Sequence, residues 1–396
     1  MNKLSKQIQN TKITDVLLFL VLVLRFTAYE HAILSQVSNI LFYGFAAMIL
    51  LEKKGDFRIY AVSVVYGLFG LMSLVSYLYS VSPDETLVRA TSIIELIPPV
   101  FAALNYFSEK ANIRKFSYMF MISAVICCGY IAVSENIFSG GPVGRSIGNQ
   151  NQVATNIALA MVFVVYSMIV RFKWWKVPVA MLLVMFIILS GSRSALIVTL
   201  ISCSFMFVLG FKAKKKSVGV AVILALALVL LVVFLIFNVE VLYNAIGERL
   251  SEALDLFQTG EGDVSTNKRA GLINNGWQMF MERPIFGSGL GSFIFIYEDL
   301  LGLVLYSHNN YLELLVGIGF VGTAIYYTIY VLCLRSSFDL LSKSNRKTAL
   351  KGALAFSIMV AIFVSDFFSV NYYNKIDIII LTFVYGMYIS EKESQT

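Results

Sequence analysis

The sequence predicts an all-α polytopic membrane protein of about twelve transmembrane helices, on three observations. Hydrophobic residues make up 58% of the chain against 14% charged, which leaves too little polar surface to solvate a fold of this size. Apolar runs recur that reach the roughly 20 residues an α-helix needs to cross the hydrocarbon core. Lys and Arg concentrate in alternate loops, as when basic loops are retained on the cytoplasmic side.

The runs start near Thr14, Ala32, Ile59, Arg89, Lys115, Asn151, Trp174, Ser192, Val218, Leu305, Ala349 and Lys375. The seventh is short, and Ser190-Gly191-Ser192-Arg193 after it also suits one interrupted helix. With both termini cytoplasmic, all but nine of the 31 basic residues fall on the cytoplasmic side. The nine are Arg25, Arg89, Arg145, Arg193, Arg249, Lys268, Arg269, Arg283 and Lys375. The net charge of +7 is therefore a topological signal and gives no reason to expect nucleic acid. Cys127, Cys128, Cys203 and Cys333 fall in or at the ends of spans, without disulfide or metal spacing. Met1 to Thr14 resembles the basic region of a secretory signal, yet no small-residue cleavage site follows before Glu30 and His31. It reads as a retained anchor, and residues 1–396 as one integral membrane unit.

The unusual residues collect on the outer side. The loop from Asn238 to Val304 is long and mixed in charge, with two segments of helical period. In the first, Leu242, Ile246, Leu250, Leu254 and Phe257 form an apolar stripe suited to the membrane interface. The second starts after Ser265 or Thr266 as N-cap, carries Arg269, Ile273, Trp277 and Phe280, and stops at Arg283-Pro284. Gly287, Gly289 and Gly291 follow; they suit either a compact turn back to the membrane or a loop whose amides cradle phosphate.

His308, one of two histidines, opens Ser307-His308-Asn309-Asn310-Tyr311-Leu312-Glu313 at the start of the tenth span. There unpaired helix amides favour nearby negative charge. Arg193 has no acidic neighbour in sequence, so it either snorkels to headgroups or meets an anion. Arg145, in Gly144-Arg145-Ser146-Ile147-Gly148-Asn149-Gln150-Asn151, joins that set. Arg25 and Arg89 have acidic neighbours in Glu30, Asp84 and Glu85 and read as structural, as does His31.

Taken together, Gly144 to Asn151, Ser190 to Leu196, Arg269 with Trp277 and Pro284, and His308 with Gly319 resemble the O-antigen ligase and polymerase superfamily, in the same order along the chain. The resemblance covers roughly residues 140 to 335. One departure is Ile197, where the arginine motif often has leucine. The resemblance implies a twelve-span fold of the second multipass (GT-C) glycosyltransferase type in the bacterial inner membrane. It also implies transfer of glycans from a polyprenyl (undecaprenyl) pyrophosphate carrier on the outer face, without metal or cofactor. Expected partners are the lipid-linked oligosaccharide donor, a lipid-linked glycan acceptor, membrane lipids and a chain-length regulator.

The chemistry of such a transfer suits these residues. Departing pyrophosphate gains negative charge that guanidinium groups stabilise with paired hydrogen bonds, which points to Arg193 and Arg269, with Arg145 as a further candidate. The attacking hydroxyl must lose its proton, a task for a neutral imidazole, here His308 as base or orienting group, with Glu313 the alternative base. Asn151, Asn309, Asn310 and Glu313 are candidate substrate-binding residues. Attack opposite the leaving group predicts inversion. A polysaccharide polymerase is the favoured reading; a ligase passing the glycan to a lipid A core uses the same pyrophosphate site. A secondary transporter would place its site near the midplane in two related halves, whereas these residues gather on one face.

Overall fold

The computed structural model describes residues 11–28, 31–135, 142–252 and 264–394, and among these it contains helices and no strand. The helices are α1 (Ile13–Thr27), α2 (Ala32–Lys53), α3 (Ala61–Val75, continued by the 3-10 turn Ser76–Tyr79), α4 (Pro83–Ile94), α5 (Ile97–Phe107) and α6 (Lys110–Ser134). They continue as α7 (Gln150–Val170), α8 (Lys176–Leu189), α9 (Arg193–Ala213), α10 (Val218–Asn238), α11 (Val264–Glu282) and α12 (Phe293–Leu301). The chain ends with α13 (Asn310–Leu341), α14 (Arg346–Ser365) and α15 (Lys375–Lys392).

Every expected span is helical. Among the described residues, nine stretches are long and apolar enough to cross a membrane, with Pro83–Phe107 counted as one. The other three expected spans are α1, α8 and α15, of 15, 14 and 18 residues. At about 1.5 Å per residue, α8 reaches roughly 21 Å, short of a full core. It is separate from α9, divided from it by Ser190–Ser192. The fourth span is not continuous: it breaks between Ile94 and Ile97, because Pro98 and Pro99 lack amide hydrogens and disfavour the helical conformation before them. The tenth begins at Asn310 rather than near Leu305, because the Asn309 side chain caps it by accepting the Leu312 amide at 3.1 Å.

The buried centre consists of α7, α9, α13, α14 and α15. α9 packs on both α7 and α14, and α14 on α13. Phe107, Phe116, Phe163 and Phe383 lock α5, α6, α7 and α15 together, with Phe116 and Phe383 centroids 4.6 Å apart. α10 lies outside, burying only Ala221, Ala225 and Ile236. Ion pairs gather at one end: Lys12–Glu52, Lys53–Glu109, Arg58–Glu393, Lys110–Glu391, Lys115–Asp15 and Lys351–Glu391. Their location matters more than their energy, since they tie the start of α1, the α2–α3 and α5–α6 connections, the start of α14 and the end of α15 to one another.

The expected Asn238–Val304 loop holds more structure than two helices. Glu240–Leu242 leads into a π-helical turn, Tyr243–Gly247; Leu254 and Phe257 lie outside the described residues. α11 starts before Ser265 and Thr266, which are inside the helix rather than at its cap, and it ends one residue before Arg283. α12 was not anticipated. Between α11 and α12 the glycine-rich turn pairs along a kink in α13 at Gly319. The amides of Gly287, Ser288, Gly289 and Leu290 are donated to the Arg283, Val316 and Gly317 carbonyls and the Ser76 hydroxyl. Phe320 and Val321 donate to the Pro284 and Ile285 carbonyls at 2.8 and 3.1 Å. This turn is a clasp, and the amides of Gly287, Ser288, Gly289 and Leu290 are committed within the protein.

Gly319 has φ 62° and a Cβ there would meet the Ile285 backbone. Gly319→Ala should therefore cost about 2 kcal/mol or more and lower the melting temperature in detergent, read by fluorescence-detected size exclusion. Gly271→Ala, in open space within α11, should leave it unchanged.

Candidate active site at the head of α13

His308 sits in the turn that precedes α13, with φ 51°, a left-handed conformation that costs a non-glycine residue about 1 kcal/mol or more. Ser307 holds it there. Its hydroxyl donates to the Glu313 carboxylate at 2.7 Å, lies 2.9 Å from the Asn309 carbonyl and accepts the Asn309 amide at 3.2 Å. Tyr306 covers the imidazole, ring centroids 3.8 Å apart. α11 lies across α13 through Leu272, Met279, Phe280 and Val316 and so brings Arg269 to His308. Burial, and then the Arg269 guanidinium, push His308 down to about 4 from 6.5. The imidazole is therefore neutral at physiological pH, half-buried and beside a cation.

Behind this turn lies Asp366, which directly follows α14 and is fully buried. Its carboxyl accepts from the Tyr327 and Tyr330 hydroxyls at 3.1 and 2.9 Å, and from the Asn310 and Asn371 amides at 3.3 and 2.9 Å. Its carbonyl accepts the Asn310 amide at 2.8 Å. The Asn310 side-chain oxygen in turn accepts from the amides of Asn371 and Tyr372, at 2.8 and 2.9 Å. Burial raises Asp366 to about 7 against these donors. Asn310 is thus committed within the protein at both ends of its amide, and Asn309 is committed as the cap. Glu313 is 6% exposed and holds Ser307. All three shape the turn that carries His308.

A second group forms where the 142–149 loop, the α8–α9 turn and the Glu240–Glu252 segment meet. Val143 donates to the Leu189 carbonyl at 3.0 Å. Ser192 caps α9 by accepting the Ala195 amide, which puts Arg193 in the first turn. The Arg193 guanidinium donates to the Arg249 carbonyl at 3.0 Å, and the Arg249 guanidinium returns a bond to the Gly191 carbonyl at 3.2 Å. Arg145 is exposed on the neighbouring loop and reaches Gln150 at 3.3 Å, while Glu135 holds that loop by accepting the Gly144 and Ser146 amides. Asn151 is exposed in the first turn of α7, under the Asn149 cap. From there Gln152 accepts the Ser369 hydroxyl at 3.1 Å, tying this group to the loop that carries Asn371 and hence to His308. The N-termini of α7, α9 and α13 thereby open on one face, each carrying partial positive charge.

Residues 178–327 match the family model described as O-antigen ligase. Over this segment the chain is similar to the O-antigen ligase family. The ligase-family segment contains Arg193, Arg269, His308 and Gly319; Arg145, Asn151 and Asp366 lie beyond its ends. A search among curated proteins finds no match.

Sequence reasoning passed over Arg249, Glu135 and Asp366. Arg249 was visible only as one of nine basic residues on the wrong side for topology. Asp366, an acidic residue at the end of an apolar run, was the signal available for the network behind His308. Arg89 pairs with Glu85 at 2.7 Å, as its neighbours suggested, while its guanidinium lies over the Tyr373 ring at 4.7 Å.

Two outcomes test this description. With His31 replaced, the remaining imidazole should titrate by NMR near pH 4, and Arg269→Gln should move the midpoint upward, since removing a cation favours the protonated ring. Asp366→Ala should lower stability by about 3 kcal/mol by leaving four buried donors without their acceptor, read as a fall in melting temperature, whereas Asp366→Asn should lose less.

Proposed function

We propose that this protein is a polymerase of the outer face of the bacterial inner membrane, moving a glycan from one polyprenyl pyrophosphate carrier onto a second lipid-linked repeat unit. The observation that carries the reading is Arg269 beside a neutral, half-buried His308 at the head of α13, within the ligase-family segment. Both termini are then cytoplasmic, and the long loop and site lie outside.

No nucleotide is available there, so the donor must carry its own leaving group. As the bond to the anomeric carbon breaks, charge develops on the departing pyrophosphate, and Arg269 and Arg193 stabilise it, with Arg145 at the entrance. His308 takes the proton of the attacking hydroxyl. Free imidazole beside Arg269 is a weak base, but a bound pyrophosphate offsets that cation and raises its basicity when the donor is in place. We assign the base to His308 rather than Glu313 because Glu313 is buried and holds Ser307. Attack from the face opposite the pyrophosphate inverts the anomeric centre. A ligase reading uses the same groups and is equally compatible with the matching model; the acceptor separates the two.

Purified protein given only polyprenyl pyrophosphate-linked repeat units, in EDTA, should produce a ladder of lipid-linked glycans on a gel. Transfer appearing only with added lipid A core would establish the ligase instead, and inactivity with both would sink the reading. His308→Ala should slow transfer about 10²-fold or more, and Arg193→Ala about 10²-fold, with insertion and expression intact.

A further inference from the structure

Lipid-to-lipid transfer, on which this inference rests, requires two pyrophosphates to be bound at once. The acceptor attacks through a hydroxyl of its sugars, so its own pyrophosphate must sit some sugar residues away from His308. Arg193 and Arg269 are taken by the leaving group. A second seat for a lipid-borne phosphate should therefore exist on the same face, displaced from His308 and accessible from the bilayer.

A cleft of about 290 Å³ meets these conditions, lined by Arg25, Asn39, Glu95, Tyr373, Asn374 and Lys375 among others. Its walls are the end of α1, α2, α4 and the start of α15. The Arg25 guanidinium and Lys375 ammonium both donate to the Asn39 side-chain oxygen, and Arg25 also reaches the Ser35 hydroxyl at 3.2 Å. Asn39 supplies a dipole and no charge. Among the described lining residues the charged side chains are Arg25, Lys375 and Glu95, and Glu95 accepts the Tyr43 hydroxyl at 3.2 Å. Arg25 and Lys375 both stand at ends of apolar helices, where charged side chains meet lipid headgroups or an anionic ligand.

Asn374 adds an independent sign. Its oxygen caps α15 by accepting the Ile376 amide at 2.9 Å, while its side-chain nitrogen, on a residue 6% exposed, has no hydrogen-bond partner among the described residues. An unused buried donor beside two cations and a helix N-terminus is suited to a phosphate oxygen. Tyr373 links the cleft toward His308 indirectly: Arg89 lies over its ring, and Arg89 is in electrostatic reach of Glu313, which accepts the Ser307 hydroxyl. On the lipid side, Ile40 and Val88 are exposed, apolar flanks that suit a prenyl chain.

We propose that this cleft seats the pyrophosphate of the acceptor lipid. The test is single transfer in nanodiscs, from a labelled donor capped at its terminal sugar, to either a polyprenyl pyrophosphate-linked repeat unit or the same oligosaccharide freed of lipid and phosphate. Lys375→Gln should raise the apparent KM for the lipid-linked acceptor at least tenfold, leave the KM for the free oligosaccharide and kcat within twofold, and be rescued by Lys375→Arg. A KM change for both acceptors, or for neither, would overturn the assignment. So would competition by phosphatidylglycerol in wild-type protein that Lys375→Gln relieves, since that would make the cleft a general headgroup site. Wild-type protein inactive toward both acceptors would count against the transfer reading and be recognised as such before any variant is compared.

Discussion

A single buried carboxyl group, Asp366, organises the face on which the candidate site lies. It gathers two tyrosine hydroxyls from α13, the Asn310 side chain at the head of that helix and Asn371 from the following loop. Removing any such group from water costs several kcal/mol unless it is paired, so the network is stable only when its members are all in place. Its consequence is positional. The turn carrying His308 is pinned to α14 and to the 366–374 loop, and through Ser369 and Gln152 that loop is pinned to α7. The left-handed conformation of His308 persists because its surroundings fix it from both sides.

The parts of this arrangement that could be read from sequence are those set by composition and period. Twelve apolar runs became helices because the bilayer leaves a backbone no other way to satisfy its polar groups, and the loop charges sorted the ends. Arg193, Arg269 and His308 stood out because a charged or titratable group beside an apolar run needs a reason. Asn309, Asn310 and Glu313 were equally visible, and each makes hydrogen bonds within the protein: Asn309 to the Leu312 amide, Asn310 to Asp366 and Glu313 to Ser307. Sequence distinguishes a polar side chain from an apolar one; it does not say whether its partner is a sugar or residue 366, which lies 56 positions from Asn310. The break at Ile94 is a different kind of miss, since Pro98-Pro99 was in plain view and the apolar run simply outweighed it.

The glycines show why a short motif needs its neighbours. Gly287, Gly289 and Gly291 all have positive φ, as a phosphate-cradling loop would require. At Gly287, however, a Cβ would lie 2.5 Å from the Gly317 carbonyl oxygen. The space that glycine creates is filled by the kinked backbone of α13. Here the absence of a side chain lets two backbones of the same chain approach and pair, and α11 and α12 are thereby fixed over α13. That clasp and the apolar packing of α11 on α13 together bring Arg269 to His308.

The juxtaposition of Arg269 and His308 is unfavourable for protonating the imidazole, and that has a use in the proposed reaction. A base that is neutral when the site is empty does not need to shed a proton before it can act. Its basicity is low because the cation opposes the charge it would acquire, and the same cation attracts the pyrophosphate. Donor binding would therefore supply the negative charge that lifts the penalty on His308. Base strength then follows occupancy, and the attacking hydroxyl is activated chiefly in the complex that has a leaving group. A histidine paired with a carboxylate would have the opposite character: protonated more readily in the empty site and repelled less by Arg269, but with its partner competing against pyrophosphate for the same guanidinium. The placement of Glu313 on Ser307, one step removed from His308, keeps that carboxylate as support for the turn rather than as a partner of the imidazole.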